Sequence, residues 1–191
     1  MLWVGQVCRP AGGSGLLARV ARRAAGWAVS AGPATFAAMP IRRPDPGRLL
    51  AALNEQRALL ALPPWAGEVT AGPLADACVQ AVGQALDAGS ATAREALRAA
   101  TTRLLDQLAE AVPGRAVEVR VPPYAAVQCV EGPRHTRGTP PNVVETDAAT
   151  WVRLATGRLS WAQARDGGLI QASGPRADLA PYLPLAGSGH G

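Results

Sequence analysis

The densest group of chemistry-bearing side chains is Arg134, His135 and Arg137. They sit in the run Glu131-Gly-Pro-Arg-His-Thr-Arg-Gly-Thr-Pro-Pro-Asn142, which contains no Ala, Val, Leu, Ile or Met. Two guanidiniums beside an imidazole suit a carboxylate or phosphate, because Arg presents planar, paired donors. These three are the candidate anion-binding residues. A loop of this length without secondary structure is often a binding loop. The plainer alternative is a solvated hairpin loop stiffened by Pro133, Pro140 and Pro141, with Glu131 and Glu145 as weak surface partners.

The same loop supplies the main catalytic option. His135 could act as a general base oriented by Glu145 or Asp147, with Cys129 as nucleophile. No GxSxG elbow, phosphate-binding loop or dinucleotide fingerprint accompanies it. Cys129 falls inside an apolar strand, which favours an inert buried thiol. The three cysteines, Cys8, Cys78 and Cys129, lie far apart with no CxxC pair. That argues against a disulfide framework or a zinc site and fits a reducing cytoplasm. The expectation is a non-catalytic protein with no metal and no cofactor.

All 19 basic residues are Arg, and they are unevenly placed. Residues 1–38 carry four of them and no acid, which leaves 15 Arg against 14 Asp and Glu over residues 39–191. A nucleic-acid binder should carry its basic excess on the folded surface that meets phosphate, so nucleic acid is not an expected partner. No apolar run approaches the roughly 20 residues that span a bilayer. The expected location is the cytoplasm.

Four stretches must position the chemistry. Residues 1–38 read as a poorly ordered leader, or as sequence upstream of a start at Met39. Residues 45–112 read as a helical region. Leu49, Leu50, Leu53 and Leu60 give one stripe, ended by Pro63-Pro64. Leu74, Cys78, Val82 and Leu86 give a second, from Pro73. Leu97, Thr101, Leu104, Leu108 and Ala111 give a third, with Ser90 as the expected N-cap and Pro113-Gly114 at its end. The acids Asp76, Asp87, Glu95, Asp106 and Glu110 read as a solvated face. Trp65, in Leu-Pro-Pro-Trp-Ala-Gly, is either a plug between helices or an exposed anchor for a protein partner.

Residues 114–185 change character. Ala116–Val121 alternates strictly, with Val117, Val119 and Val121 on one face and Glu118 and Arg120 on the other. Further strands are expected at Tyr124–Val130, Val143–Thr146 and Leu169–Ser173. Asp147 is the expected cap of a helix over Ala148–Thr156 ended by Gly157, and Ser160 that of a short helix carrying Trp161. Residues 186–191 read as a disordered tail. The fold class is therefore α+β.

The run Thr146 to Gly174 resembles the C-terminal half of sterol carrier domains. The shared pattern is a strand, an acidic cap, a helix ending in LxxG, a short helix, a Gly, and a strand ending in Gly. Asp147, Leu154, Gly157, Gly168, Leu169 and Gly174 occupy those positions. The whole of 114–185 is similar to the bacterial sterol-carrier-like proteins of actinomycetes. The resemblance implies a sterol-carrier-like mixed sheet with covering helices, and a lipid or other apolar small molecule as partner. On that basis the candidate apolar lining is Val127, Cys129, Trp151, Leu154, Trp161 and Leu169. The alternative is a protein-interaction or scaffold module, with a partner meeting the helical region.

Overall fold

A computed structural model describes residues 45–132 and 142–185 of the chain. The expected leader (1–38), the tail (186–191) and the anion-binding candidates Arg134, His135 and Arg137 lie outside the described residues. Among the described residues three helices come first: α1 (Pro46–Leu59), α2 (Ala71–Asp87) and α3 (Arg94–Ala111). Then follow β1 (Val117–Val121), β2 (Ala125–Cys129), β3 (Val143–Thr146), α4 (Ala148–Ala155), α5 (Trp161–Asp166) and β4 (Ile170–Ser173). A 3-10 turn, Ala180–Tyr182, lies in the closing segment. The architecture is α+β, a helical layer followed by a mixed sheet with covering helices.

Local chemistry explains most of the element ends. Asp45 accepts from the Arg48 amide at 3.1 Å and starts α1, with Pro46 in the first turn. Asp147 caps α4 with one oxygen on the Thr150 amide and the other on its hydroxyl. Ser160 and Gln163 form a reciprocal capping box on α5. Four helices end in the same doubly bonded turn, which needs one residue in the left-handed region. Gly89, Gly157 and Gly168 serve α2, α4 and α5, whereas α1 uses Ala61 at φ 55°. There the Leu62 amide donates to the Arg57 carbonyl at 2.9 Å and the Ala61 amide to that of Ala58 at 3.0 Å.

The start of α3 departs from the sequence expectation. Ser90 does not cap it: the Ser90 amide donates to the Ala85 carbonyl at 2.8 Å and closes the end of α2 instead. The true N-cap position is Ala93, whose side chain cannot accept. Gln56 of α1 takes over, its Oε1 accepting from the buried Ala93 amide at 2.8 Å and its Nε2 donating to the Ala91 carbonyl at 3.3 Å. Gln56 is fully buried, and its bond to the Ala93 amide is made away from water.

The sheet order is β2-β1-β3-β4, with β1 and β3 parallel and the outer pairs antiparallel. Tyr124 donates its amide to the Val121 carbonyl at 2.9 Å across the cis Pro122–Pro123 bond, closing the β1–β2 hairpin. Gly114 lies so close to the Val130 carbonyl that any side chain there would collide with backbone. Buried Asn142 ties three segments. Its amide donates to the Ala116 carbonyl at 2.7 Å, and its Oδ1 accepts from the Arg176 amide at 2.9 Å.

The main apolar core crosses the boundary that composition alone places near residue 113. It joins Val79 and Val82 of α2, Leu104 and Leu108 of α3, the β1 valines, and Trp151 and Leu154 of α4. A second, smaller cluster holds Leu49, Leu53, Leu74 and Cys78 between α1 and α2. So the α2 stripe divides, Leu74 and Cys78 facing α1 while Val82 faces the main core. Two of the acids expected on a solvated face are half-exposed and also form ties between elements. Asp76 pairs with Arg103 at 2.7 Å, and Asp87 pairs with Arg158 at 2.9 Å. Arg153 also donates to the Leu86 carbonyl at 2.7 Å, so α4 and the turn after it grip the end of α2.

Two stability effects are expected in urea denaturation of the full chain. Gln56→Leu leaves the Ala93 amide buried without an acceptor and costs about 2 kcal/mol. Ala61→Gly relieves the left-handed conformation and stabilises by about 1 kcal/mol.

Candidate functional site

Strand alternation gives the sheet one apolar and one mixed face. The inner face carries Val117, Val119, Val121, Val127, Cys129 and Val144, covered by α3, α4 and α5. Five of the six residues expected to line an apolar site converge here: Val127, Cys129, Trp151, Leu154 and Trp161 belong to one core cluster. The sixth, Leu169, is half-buried and packs against it. They are thus brought together, and they fill the space between sheet and helices.

Burial also fixes the state of the thiols. It pushes Cys129 up to about 11 and Cys78 up to about 12, so both are protonated at neutral pH. Asp147, named above as an orienter for His135, has both carboxylate oxygens engaged on Thr150. Among the described residues, no three His, Cys, Asp or Glu side chains are grouped to hold a metal ion. No helix among them is long and apolar enough to cross a membrane.

Among the described residues three buried side-chain polar atoms lack a hydrogen-bond partner, one of them Gln107 Oε1. The indole N–H groups of Trp151 and Trp161 are buried and have no hydrogen-bond partner. Trp151 is fully buried and Trp161 is 8% exposed. A buried donor left unpaired costs on the order of 1–3 kcal/mol.

The open space lies elsewhere. A groove of about 730 Å³ runs over the outer face of β1, β3 and β4 and turns round the β4 edge. Register places Arg120 opposite Glu145, Glu145 opposite Gln171, and Val143 opposite Ser173, so all five outer residues share one face with the groove. Ile170, Ala172 and Arg165 complete the wall. Ile170 is also part of the main core, and Arg165 stands one helical turn beyond Trp161 on α5. Within this face Arg120 pairs with Glu118 at 2.6 Å, and Glu118 is buried although alternation marks it as outward.

Sequence reasoning missed this groove. Arg165 had a usable signal, its i,i+4 spacing from Trp161, but the role of β4 as an edge strand depends on pairing order.

A second groove, about 310 Å³, lies in the helical layer between Arg57, Trp65, Pro73, Asp76, Gln80 and Gln84. Trp65 sits at its corner. Its amide donates to Asn54 Oδ1 at 2.7 Å, its indole donates to the Glu68 carbonyl at 3.1 Å, and Arg57 lies 5.8 Å from the ring centre. Trp65 is therefore a half-buried plug between α1 and α2.

An inner sheet face is buried under three helices of an α+β domain, with a groove at the free strand edge. Residues 93–185, the C-terminal part of the chain, match the family described as bacterial SCP ortholog, a bacterial sterol carrier family domain. The match takes in α3, which composition groups with the helices before it. No curated protein matches the sequence.

The raised thiols give a pH prediction. Both cysteines hold their proton more tightly in the folded than in the unfolded chain, whose thiols titrate near 9.0. That contribution is complete below this value and is lost as pH rises through about 11 and about 12. Urea midpoints should therefore fall between pH 9 and 11, and fall less steeply in a Cys78→Ala, Cys129→Ala variant. At neutral pH both thiols should react with Ellman's reagent only after denaturant is added.

Proposed function

We propose that the domain binds an amphipathic lipid without chemically changing it. The reading is carried by one observation. The family match covers the residues that build the groove, and the groove wall at Ile170 is continuous with the apolar core. The apolar body of the ligand lies against Ile170, Ala172 and Val143 and extends toward Trp161, displacing or parting core side chains. Burial drives binding, at about 0.8 kcal/mol for each CH₂ removed from water. The head group stays at the groove rim near Arg165, whose guanidinium favours an anion. Arg134, His135 and Arg137 are proposed as further anchors for the same head group. No cofactor takes part, and the protein works in the cytoplasm.

A second reading rests on a different surface. Among the described residues, the exposed large hydrophobics are Leu59, Leu62 and Val69, all in the stretch around Trp65. Such a patch suits a protein partner and a scaffold role. In that case Trp65 fluorescence would be quenched by acrylamide in the isolated chain and protected in the complex.

The test of the lipid reading is a native mass spectrum of the full chain purified from a bacterial host, followed by organic extraction. A lipid-sized mass should be retained by the wild type. Ala172→Arg, which fills the groove from an exposed position, should abolish it. Arg165→Gln, and Arg134→Ala with Arg137→Ala, should weaken retention of anionic lipids selectively. A bare wild-type chain that also ignores added fatty acid, acyl-CoA and sterol would refute the reading.

A further inference from the structure

Helix α1 turns apolar and small residues to solvent as well as to the core. Its inward side carries Leu49, Ala52, Leu53 and Gln56. On the helical period, Gly47, Arg48, Ala51, Glu55, Ala58 and Leu59 share a second stripe roughly 120° wide. All six are exposed. Asn54 and Arg57, which hold Trp65, lie outside that stripe.

A helix face turned to water carries mostly polar and charged side chains. This one carries two charges, of opposite sign and two turns apart. Among the described residues, neither Arg48 nor Glu55 belongs to an ion pair. Two turns are about 10 Å, too far for the two to pair with each other. Arg48 also stands in the first turn of α1, where the helix dipole disfavours a cation. Each charge therefore lacks what the other end of the same stripe offers.

We propose that a second copy of this chain covers the stripe, the two α1 helices running antiparallel about a twofold axis. Antiparallel pairing turns Arg48 of each copy toward Glu55 of the other, so one contact is made twice. Gly47, Ala51 and Ala58 let the two backbones approach, and Leu59 packs where the partner's Gly47 leaves room. The pairing goes beyond the lipid reading and does not rest on it, since no α1 residue lines the β4 groove. It also lies outside the segment matched to the family, which begins at residue 93. A contact through one 14-residue helix is small for a stable interface, so the pair should form reversibly as protein concentration rises.

Sedimentation equilibrium of the full chain at about 0.15 M salt tests this. The wild type should pass from monomer to dimer with concentration, and less readily as salt is raised. Arg48→Glu alone and Glu55→Arg alone each turn two exposed attractions into two repulsions. Either should raise the dissociation constant about tenfold. An equimolar mixture of the two variants should dimerise like the wild type, because each chain then meets the charge it lacks. A double variant with both reversals in one chain should do so as well. Leu59→Gln, which changes no charge, should weaken the dimer but leave its salt dependence in place. A wild type that stays monomeric would overturn the inference and leave the stripe to a different protein. A dimer indifferent to the single reversals would also overturn it, since it must form through another face. So would a mixture and a double variant that both fail to recover, because the two charges then do not meet. The wild-type titration needs no variant, and recovery in the mixture excludes misfolding as the cause of the single losses.

Discussion

The amide of Gln56 is the contact on which the rest of the molecule leans. Helix α3 begins at a residue that cannot cap itself, and an uncapped, buried helix start is costly. Gln56 reaches from α1 to supply the missing acceptor. By doing so it fixes where α3 begins, and α3 is the helix that lies on the β1 and β2 valines. That cover makes the inner face a core, and the core in turn holds the sheet whose free edge borders the groove. The segment matched to the sterol carrier family starts at the very residue that Gln56 caps. The helices before it are thus structural partners of the domain.

The two sheet faces divide the work by polarity. On the inner face, dense packing leaves no charged group and two stranded donors. On the outer face, Glu118 and Arg120 neutralise each other across one strand, and Glu145 meets Arg120 in register on the next. An edge strand lies between these environments. β4 therefore meets both the apolar interior and the charged rim, a gradient an amphipathic molecule also spans.

Much of the fold was legible because its signals are local. Alternation revealed β1, the caps Asp147 and Ser160 marked α4 and α5, and the left-handed glycines marked their ends. Gathering Val127, Cys129, Trp151, Leu154 and Trp161 into one cluster was legible through the family pattern. What escaped was non-local. Ser90 has the side chain of a cap, yet the turn ending α2 claims its amide, and nothing near it in the chain announces Gln56, which lies 37 residues before Ala93. Glu118 alternates outward but is buried, since only strand pairing decides what covers it. The groove needs the order β2-β1-β3-β4, and the unpaired indoles are absences that no residue pattern encodes.

Arg158 and Gly83 carry a consequence for how this chain can change over evolutionary time. The guanidinium of Arg158 lies where a Cβ on Gly83 would stand, 2.7 Å from its central carbon, and is held there by Asp87. A larger residue at 83 makes the guanidinium shift, and a shorter residue at 158 leaves a notch over bare helix. The two positions are 75 apart in sequence, and one lies outside the family-matched segment. They are nonetheless coupled through one contact, so a change at either alters the space open to the other. A graft of the helical layer onto another such domain therefore has to match the residue at 158 to the one at 83.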